Sequence, residues 1–279
     1  MSQSVSVESL HIYPVKACRA IDLDSAQLTI EGLRYDREWM VVDARGDFIT
    51  QREQPTLARV RTQIDGDFLS LSALASGSVR VPLRYQDGDL IPVRCWRFRT
   101  EALDCGNEAA AWFTQLLGSP ARLVRFARQA RRDCNPDWTG GVTAYTKFSD
   151  GYPLLVLANE SVTDLRQRMN LDGARLASNR FRANIMISGV AAYDEDFIET
   201  IGNDDFSLKL VKPCPRCTVP SVNQMTGAID GPAPIDVLTG YRMNAKVDGA
   251  TLGVNAVLAG GAGATIAVGQ VLAVELRFD

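Results

Sequence analysis

Short runs of β-branched and apolar residues, separated by turn residues, fill the first hundred positions of the chain. The clearest case is Trp39-Met40-Val41-Val42 and Phe48-Ile49-Thr50 on either side of Asp43-Ala44-Arg45-Gly46-Asp47, which predicts a strand, a turn and a strand. Further runs occur at residues 69–71, 79–83 and 90–93. This pattern predicts an antiparallel sheet that is closed or sandwiched.

One helix interrupts the strands at about residues 107–117. Apolar residues from Ala109 to Leu117 recur there at helical spacing. Asn107 is placed to cap this helix and Gly118 is placed to end it.

The stretch that follows, residues 125–141, is basic and has no periodicity. It predicts a long loop or linker between two units. We therefore expect an N-terminal module over residues 1–125 and a second domain over residues 126–279, in keeping with a length of 279 residues and roughly 150 residues per domain.

The second half of the chain mixes strands with another helix. Leu154-Leu155-Val156-Leu157 predicts a buried strand, and Ser161-Val162-Thr163-Asp164 is typical of a capping box that begins a helix. Residues 185–187, 208–210 and 266–276 predict strands, the last broken by Gly269-Gln270. The expected fold class is α+β, predominantly β, with a few helices.

Composition and charge narrow the range of partners. Hydrophobic residues are 46% and charged residues 23% of the chain, which excludes a disordered, collagenous or membrane-spanning protein. The net charge of −3 provides no basic field for a nucleic-acid backbone. The first ten residues carry no secretory signal. We expect a cytoplasmic protein with small-molecule ligands and neither nucleic-acid nor membrane partners.

Two cysteines carry the strongest chemical signal, in the segment Lys212-Pro213-Cys214-Pro215-Arg216-Cys217. The arginine between them favours the charged form of a thiol, so at least one low-pKa thiolate is expected. A single C-x-x-C pair leaves a metal site, a redox pair and incidental thiols equally open. Cys214 is a buried small apolar group, a thiol beside the site, or the reactive thiol in place of Cys217.

Arginines beside the predicted strands carry a second signal. Arg34 and Arg37 bracket Tyr35-Asp36, and Arg180 and Arg182 precede the strand at residues 185–187. For any one of them, a solvated strand end is the better interpretation. Several together would suit a clamp for a phosphate or a polar heterocycle.

Seven segments, in chain order, resemble those of a known family. They are Tyr13-Pro14-Val15-Lys16, Gly32-Leu33-Arg34-Tyr35-Asp36-Arg37-Glu38-Trp39, Thr50-Gln51-Arg52, Asp104-Cys105-Gly106, Ser149-Asp150-Gly151-Tyr152-Pro153, Asn179-Arg180-Phe181-Arg182-Ala183-Asn184 and Cys214-Pro215-Arg216-Cys217. The chain resembles the MOSC family in its two-module form, which includes mitochondrial amidoxime-reducing components and bacterial reductases of N-hydroxylated compounds. The resemblance implies a MOSC N-terminal β-barrel module packed on a MOSC β-barrel domain.

The same resemblance implies a molybdenum cofactor, a pterin dithiolene with a phosphate tail and one protein thiolate on the metal. The position matching the metal ligand is Cys217, and Asp150 is implied as a second catalytic residue beside the cofactor. Besides Cys217, the residues implied in cofactor binding are Lys16, Arg34, Arg37, Gly151, Tyr152, Arg182 and Asn184, of which Arg34 is implied in a supporting position. The chain departs from the family at Ala17, often serine, and at Asn223, often acidic, which affects substrate contacts more than cofactor binding.

The implied activity is reduction of N-hydroxylated compounds such as amidoximes, hydroxylamines and N-hydroxylated base analogues. A separate electron-donor protein is implied, because the chain has no plant-type four-cysteine spacing for an iron–sulfur cluster. The alternative is a molybdenum cofactor carrier or a sulfur-transfer protein, in which Cys217 holds a persulfide. A third hypothesis is a non-catalytic protein that binds an anion through its arginines.

Overall fold

Strands dominate the computed structural model, which describes residues 3–74, 76–85 and 88–277. The strands are β1 (Ser4–Ile12), β2 (Ile21–Leu23), β3 (Ser25–Thr29), β4 (Gly32–Leu33), β5 (Trp39–Asp43), β6 (Arg61–Asp65), β7 (Phe68–Ala73), β8 (Gly77–Pro82), β9 (Leu90–Cys95), β10 (Phe98–Asp104), β11 (Ala121–Phe126), β12 (Leu154–Ala158), β13 (Ile185–Ser188), β14 (Ile198–Gly202), β15 (Ser207–Pro215), β16 (Met243–Asn244), β17 (Gly249–Gly260), β18 (Thr265–Ala267) and β19 (Val271–Leu276). The helices are α1 (Asn107–Leu117), α2 (Pro136–Thr139), α3 (Asn159–Arg168) and α4 (Pro234–Thr239), with 3₁₀ turns at Pro55–Arg59, Ser178–Phe181, Asp194–Phe197 and Val219–Ser221. The prediction of a predominantly β fold with a few helices is confirmed.

A closed barrel forms the larger part of the fold. Its strands follow the order β12-β13-β1-β19-β14-β15-β17, and β17 pairs with β12 to complete the ring. Only the β12–β13 pair in this ring is parallel. Aliphatic side chains fill the interior, among them Leu10, Ile187 and Leu208, because alternate residues of each strand point inward.

The first strand of the chain is part of this barrel. β1 pairs with β13 on one side and with β19 on the other. The N-terminal residues therefore complete a barrel whose other strands come from the second half of the chain. The division into modules 1–125 and 126–279 stays a prediction.

The rest of the N-terminal half consists of smaller sheets. β5, β11, β10 and β9 form a four-stranded sheet, and β6, β7 and β8 form a three-stranded meander. The apolar face of α1, with Trp112 and Phe113, packs with Trp39 and the meander in one core cluster. None of the helices in the described ranges is long and apolar enough to cross a membrane.

Helix ends differ from the sequence predictions in two places. The bounds of α1 are as expected, but the predicted Asn107 cap is wrong, because Gly106 is the capping residue and its amide donates to Asp104. α3 begins at Asn159, so a capping box beginning at Ser161 is wrong as well. The Ser161 hydroxyl instead donates to the buried carboxylate of Glu195 at 2.7 Å.

The predicted loop over residues 125–141 is also only partly a loop. Arg125 lies in β11 and is 4% exposed. Its guanidinium donates to Glu38 and lies over the ring of Trp39. A buried ion pair can thus hold an arginine inside a strand. The basic composition of residues 125–141 therefore did not by itself indicate a loop at Arg125.

A glycine allows β17 to approach β12 closely. Gly253 has a φ of +74°, and a Cβ there would lie 2.8 Å from the carbonyl oxygen of Val156. An L side chain at this position would be strained and would also press on the neighbouring backbone.

We expect Gly253→Ala to lower the free energy of unfolding by about 1–3 kcal/mol more than Gly231→Ala does, because only the former overpacks a neighbour. Gly231 is a matched control, since its φ is +72° and a Cβ there meets no atom within 4 Å. Urea denaturation of both variants measures the difference. Equal losses of stability would contradict the close approach.

Candidate functional site

A cleft of about 180 Å³ collects residues from both halves of the chain. Of the residues implied by the family resemblance, it is lined by Lys16, Arg37, Asp150, Tyr152, Arg182, Asn184 and Cys217. Gly151 lies between two of these residues and is half-buried. Arg34 is not brought into the cleft: it is exposed, and its guanidinium lies over the ring of Tyr35.

The chain reaches the cleft by continuing beyond β1. Val15 forms a bridge with Trp39 of β5, and the Lys16 amide donates to the Trp39 carbonyl. This pairing carries the Lys16 side chain to the second half of the protein. Its ammonium donates to the Phe148 carbonyl at 2.8 Å and to Asp150 at 2.6 Å.

Two guanidinium groups lie against one buried tyrosine ring. The Cζ atoms of Arg37 and Arg182 are 4.2 and 4.3 Å from the centroid of Tyr13, which is 1% exposed. Cation–π attraction offsets part of the cost of placing two like charges together. Burial raises the pKa of Tyr13 to about 12, so the ring stays neutral and its hydroxyl donates to the Ala183 carbonyl.

Asp36 and Asn184 set the orientation of Arg37. Asp36 accepts from Arg37 Nη1 at 2.5 Å and from the Tyr13 amide at 2.7 Å. Asn184 Oδ1 accepts from the same Arg37 nitrogen at 2.9 Å, while its Nδ2 donates to the His11 carbonyl. Asn184 therefore lines the cleft and also fixes the Arg37 guanidinium there.

Arg182 is held by neutral groups. Its Nη1 donates to the Cys18 carbonyl at 2.9 Å and to Gln224 at 3.3 Å. Burial and the nearby charge of Arg37 both lower the pKa of Arg182. Among the residues that the structure describes, Asp36 is the one carboxylate paired with either guanidinium. Positive charge is thus in excess at this point.

The lining of the cleft as a whole also carries an excess of positive charge. Its cationic residues are Lys16, Arg37, Arg52, Arg180, Arg182 and Arg216, and within the described ranges Asp150 is the one lining carboxylate. A chain with a net charge of −3 therefore concentrates positive charge in one concave place. Such a site attracts and orients an anion.

Asp150 lies at the mouth of the cleft and accepts from two side chains. Lys16 Nζ and the Trp96 indole Nε1 donate to its Oδ1 at 2.6 and 2.9 Å. Desolvation acts to raise the pKa of Asp150, but the Lys16 ammonium and these hydrogen bonds outweigh it and lower the pKa below its ordinary value. Asp150 is consequently an anionic acceptor at neutral pH.

The two thiols of the C-x-x-C segment have different surroundings. Both line the cleft, but Cys217 is exposed, whereas Cys214 is half-buried and also packs against the core cluster around α3 and α4. Burial raises the pKa of Cys214, although Arg216 acts to lower it. Cys214 is therefore not the low-pKa thiolate that the sequence predicts.

Arg180 and Arg216 brace the segments around Cys217. Arg180 donates to the Ser221 carbonyl and to Asp230. Arg216 Nε donates to the Leu252 carbonyl and its Nη1 to the Phe181 carbonyl, so this guanidinium positions the backbone beside Cys217. In the described part of the chain, no group of three or more His, Cys, Asp or Glu side chains could hold a metal ion by itself.

Sequence reasoning gave no role to three residues that organise the cleft. Tyr13 and Asp36 belong to the segments that resemble the MOSC family. Their position in those segments could have indicated that they contribute to the site. Trp96 belongs to none of them. Its position depends on a hairpin that only the structure reveals.

These features define a class: a two-module β protein whose cationic cleft presents the exposed thiol of Cys217. Residues 4–120 match the MOSC N-terminal beta barrel domain, and residues 144–273 match the MOSC domain. The chain belongs to the MOSC family in its two-module form.

Similar proteins include two amidoxime-reducing components and a molybdenum cofactor sulfurase. Over 251 residues the chain is 32% identical to mitochondrial amidoxime reducing component 2 of Bos taurus, covering 87% of this chain and 74% of the relative. Mitochondrial amidoxime-reducing component 1 of Homo sapiens is 32% identical over 251 residues, with 87% and 73% covered. The molybdenum cofactor sulfurase of Homo sapiens is 27% identical over 239 residues, which are 79% of this chain and 27% of that protein.

The cleft fits a cofactor that combines a metal, a polar heterocycle and a phosphate. Tyr152 Oη and Arg216 Nη2 are buried on lining residues and have no partner among the described residues. An unpaired buried donor costs about 1–3 kcal/mol, so a polar ligand that satisfies it is stabilised. The excess of cations suits a phosphate, and the accessible thiol suits a soft metal.

We expect Asp36→Ala to lower the free energy of unfolding by about 3–5 kcal/mol, because it leaves the Arg37 guanidinium buried without its carboxylate. Asp65→Ala removes an exposed partner of Arg80 and should cost less than about 1 kcal/mol. Chemical denaturation compares the two variants. Losses of similar size would show that Asp36 is not needed to balance the charge of the guanidinium pair.

Lys16→Met should raise the pKa of Asp150 toward its ordinary value, because the strongest attraction that stabilises the carboxylate is removed. Carboxyl carbon chemical shifts followed by NMR during an acid titration measure this pKa directly. Lys246→Met, which changes an exposed lysine outside the cleft, serves as the control. An unchanged Asp150 titration in the Lys16 variant would rule out the assigned cause.

Proposed function

We propose that this protein is a cytoplasmic, molybdenum-cofactor-dependent reductase that removes oxygen from N-hydroxylated compounds and receives electrons from a separate protein. The observation that carries the proposal is the cleft itself, in which residues of both modules place excess positive charge next to the exposed thiol of Cys217. Relatives named as amidoxime-reducing components, at 32% identity, support the choice of reaction.

The chain's own residues divide the binding of the cofactor among them. Cys217 would provide the thiolate for molybdenum, a soft ligand that suits this metal. Arg37, Arg182 and Lys16 would hold the phosphate and the pterin through charge-assisted hydrogen bonds. The unpaired Tyr152 hydroxyl and Arg216 Nη2 would add polar contacts. When bound, the cofactor supplies the two-electron redox chemistry that the protein side chains lack.

Asp150, held in place by Lys16, would orient the substrate. Reduction of an N-hydroxyl group consumes two electrons and two protons and releases an amine or amidine and water. Asp150, anionic beside Lys16, would accept hydrogen bonds from the N–H or O–H groups of the N-hydroxylated substrate and orient it. The Lys16 ammonium, 2.6 Å from the carboxylate, would keep Asp150 anionic and fixed in place.

A cofactor carrier or sulfur-transfer protein is the second candidate. The exposure of Cys217, which would leave a persulfide accessible, and the match to a molybdenum cofactor sulfurase over 79% of this chain favour it. A carrier of this kind would bind the cofactor in the same cleft but would not reduce a substrate.

Metal analysis combined with a reduction assay tests the proposal. We expect close to one molybdenum per chain in the purified protein, and reduction of benzamidoxime when a reduced dye supplies electrons. Cys217→Ala should abolish reduction, and Arg182→Met should lower the molybdenum content, because the phosphate loses a charged donor worth about 1.5–3 kcal/mol. Cys105→Ala, which changes a thiol outside the cleft, is the control and should keep both properties.

Two results would overturn the proposal. Protein that is replete with molybdenum yet inert toward benzamidoxime and hydroxylamines with every electron source would point to the carrier. Protein that binds no cofactor when supplied with it would leave only an anion-binding role for the arginines.

A further inference from the structure

A tight hairpin presents one large aromatic side chain over the mouth of the cleft. β9 and β10 are paired up to Cys95 and Phe98, which leaves a two-residue turn with Trp96 in its first position. Trp96 has a φ of +58°, a conformation that carries a cost for any residue other than glycine. A strained residue of this kind often marks a functional position.

Three contacts hold the Trp96 ring in place. Its indole nitrogen donates to Asp150 at 2.9 Å. The centroids of the Phe48 and Trp96 rings are 4.9 Å apart, with an interplanar angle of 59°. The Arg52 Cζ lies 5.1 Å from the Trp96 ring centroid. Trp96 is nevertheless 42% exposed. The side chain is thus held in a fixed orientation although it is not buried. Packing of the hydrophobic core does not explain this orientation.

The exposed ring lies where the cleft meets a larger open groove. This groove measures about 1310 Å³ and shares Phe48, Ile49, Trp96 and Asp150 with the cleft. A molecule that enters the cleft from the groove therefore passes the Trp96–Phe48 pair. The carboxylate of Asp150 lies at the edge of the same ring.

We propose that Trp96 and Phe48 form a stacking subsite for the planar ring of an aromatic or heteroaromatic N-hydroxylated substrate. The subsite rests on the proposed function, since it assigns the class of substrate that the same cleft accepts. An aromatic wall offers favourable stacking to planar rings of differing hydrogen-bond pattern. Asp150 beside the wall would accept from the N–H groups of an amidoxime or an N-hydroxylated base while the ring stacks.

Two matched substrates and two variants of one residue test the subsite. Benzamidoxime and acetamidoxime carry the same N-hydroxylated group on a planar ring or on a methyl group. Trp96→Gly removes the ring and adopts the positive φ without strain. Trp96→Phe keeps an aromatic ring but removes the hydrogen bond to Asp150, so the comparison separates stacking from the orientation of the carboxylate.

Dissociation constants from calorimetry on the oxidised holoprotein, and KM with a reduced dye, are measured for both compounds. We expect the parent to bind benzamidoxime at least tenfold more tightly than acetamidoxime. Trp96→Gly should reduce this ratio about tenfold, equivalent to about 1.4 kcal/mol, whereas Trp96→Phe should keep it within about threefold. Phe48→Leu should lower the ratio as well, because it removes the second ring.

A binding ratio that Trp96→Gly leaves unchanged would overturn the subsite. Equal weakening of both compounds in the glycine and phenylalanine variants would also overturn it, because the hydrogen bond to Asp150 would then be the whole role of Trp96. If neither compound is reduced, the reductase proposal fails, while the ratio of dissociation constants still decides whether the aromatic pair selects planar rings.

Discussion

Two guanidinium groups, held against one buried tyrosine and balanced by one carboxylate, are the constraint on which the cleft depends. Arg37 and Arg182 lie within 4.3 Å of the Tyr13 centroid, and Asp36 supplies the paired negative charge. Like charges in a place of low polarity repel each other, so the surrounding carbonyl and amide groups must hold them. The folded chain therefore maintains a charge excess that an anionic ligand would relieve. This is the arrangement that a phosphate-bearing cofactor requires.

The same constraint joins the two modules. Tyr13, Lys16 and Arg37 come from the N-terminal part of the chain, whereas Arg182 and Cys217 come from the second half. They meet because β1 completes the barrel and the chain then passes directly to β5. Neither half holds the cation cluster and the thiol by itself. Binding of a ligand in the cleft and packing of the modules are thus expected to stabilise each other.

Much of the fold follows from local patterns, but the site does not. The strand around Val156, the bounds of α1 and the turn at Gly269 were predictable, because periodicity and turn residues specify them locally. β17 was not predicted, since glycines break its apolar pattern and its stability comes from pairing with β12 and β15. The predicted cap at Ser161 was wrong because a distant carboxylate, Glu195, uses its hydroxyl.

Site residues could be predicted only where a family motif carried them. Lys16, Asp150 and Cys217 line one cleft as the resemblance implies, although they are far apart in the sequence. Arg34, in the same motif as Arg37, points to solvent, because residues close in sequence diverge where the backbone turns. Trp96 lay beyond prediction, since its role depends on the strained hairpin and on Asp150, which is distant in sequence.

X-ray absorption at the molybdenum edge tests the central claim, that Cys217 and the cation cluster together hold the cofactor in this cleft. We expect three sulfur neighbours of the metal in the parent protein, two from the dithiolene and one from the chain. Cys217→Ser should remove one of them, while Cys214→Ser should leave all three. A sulfur count that the Cys217 substitution does not change, in protein replete with cofactor, would contradict the account.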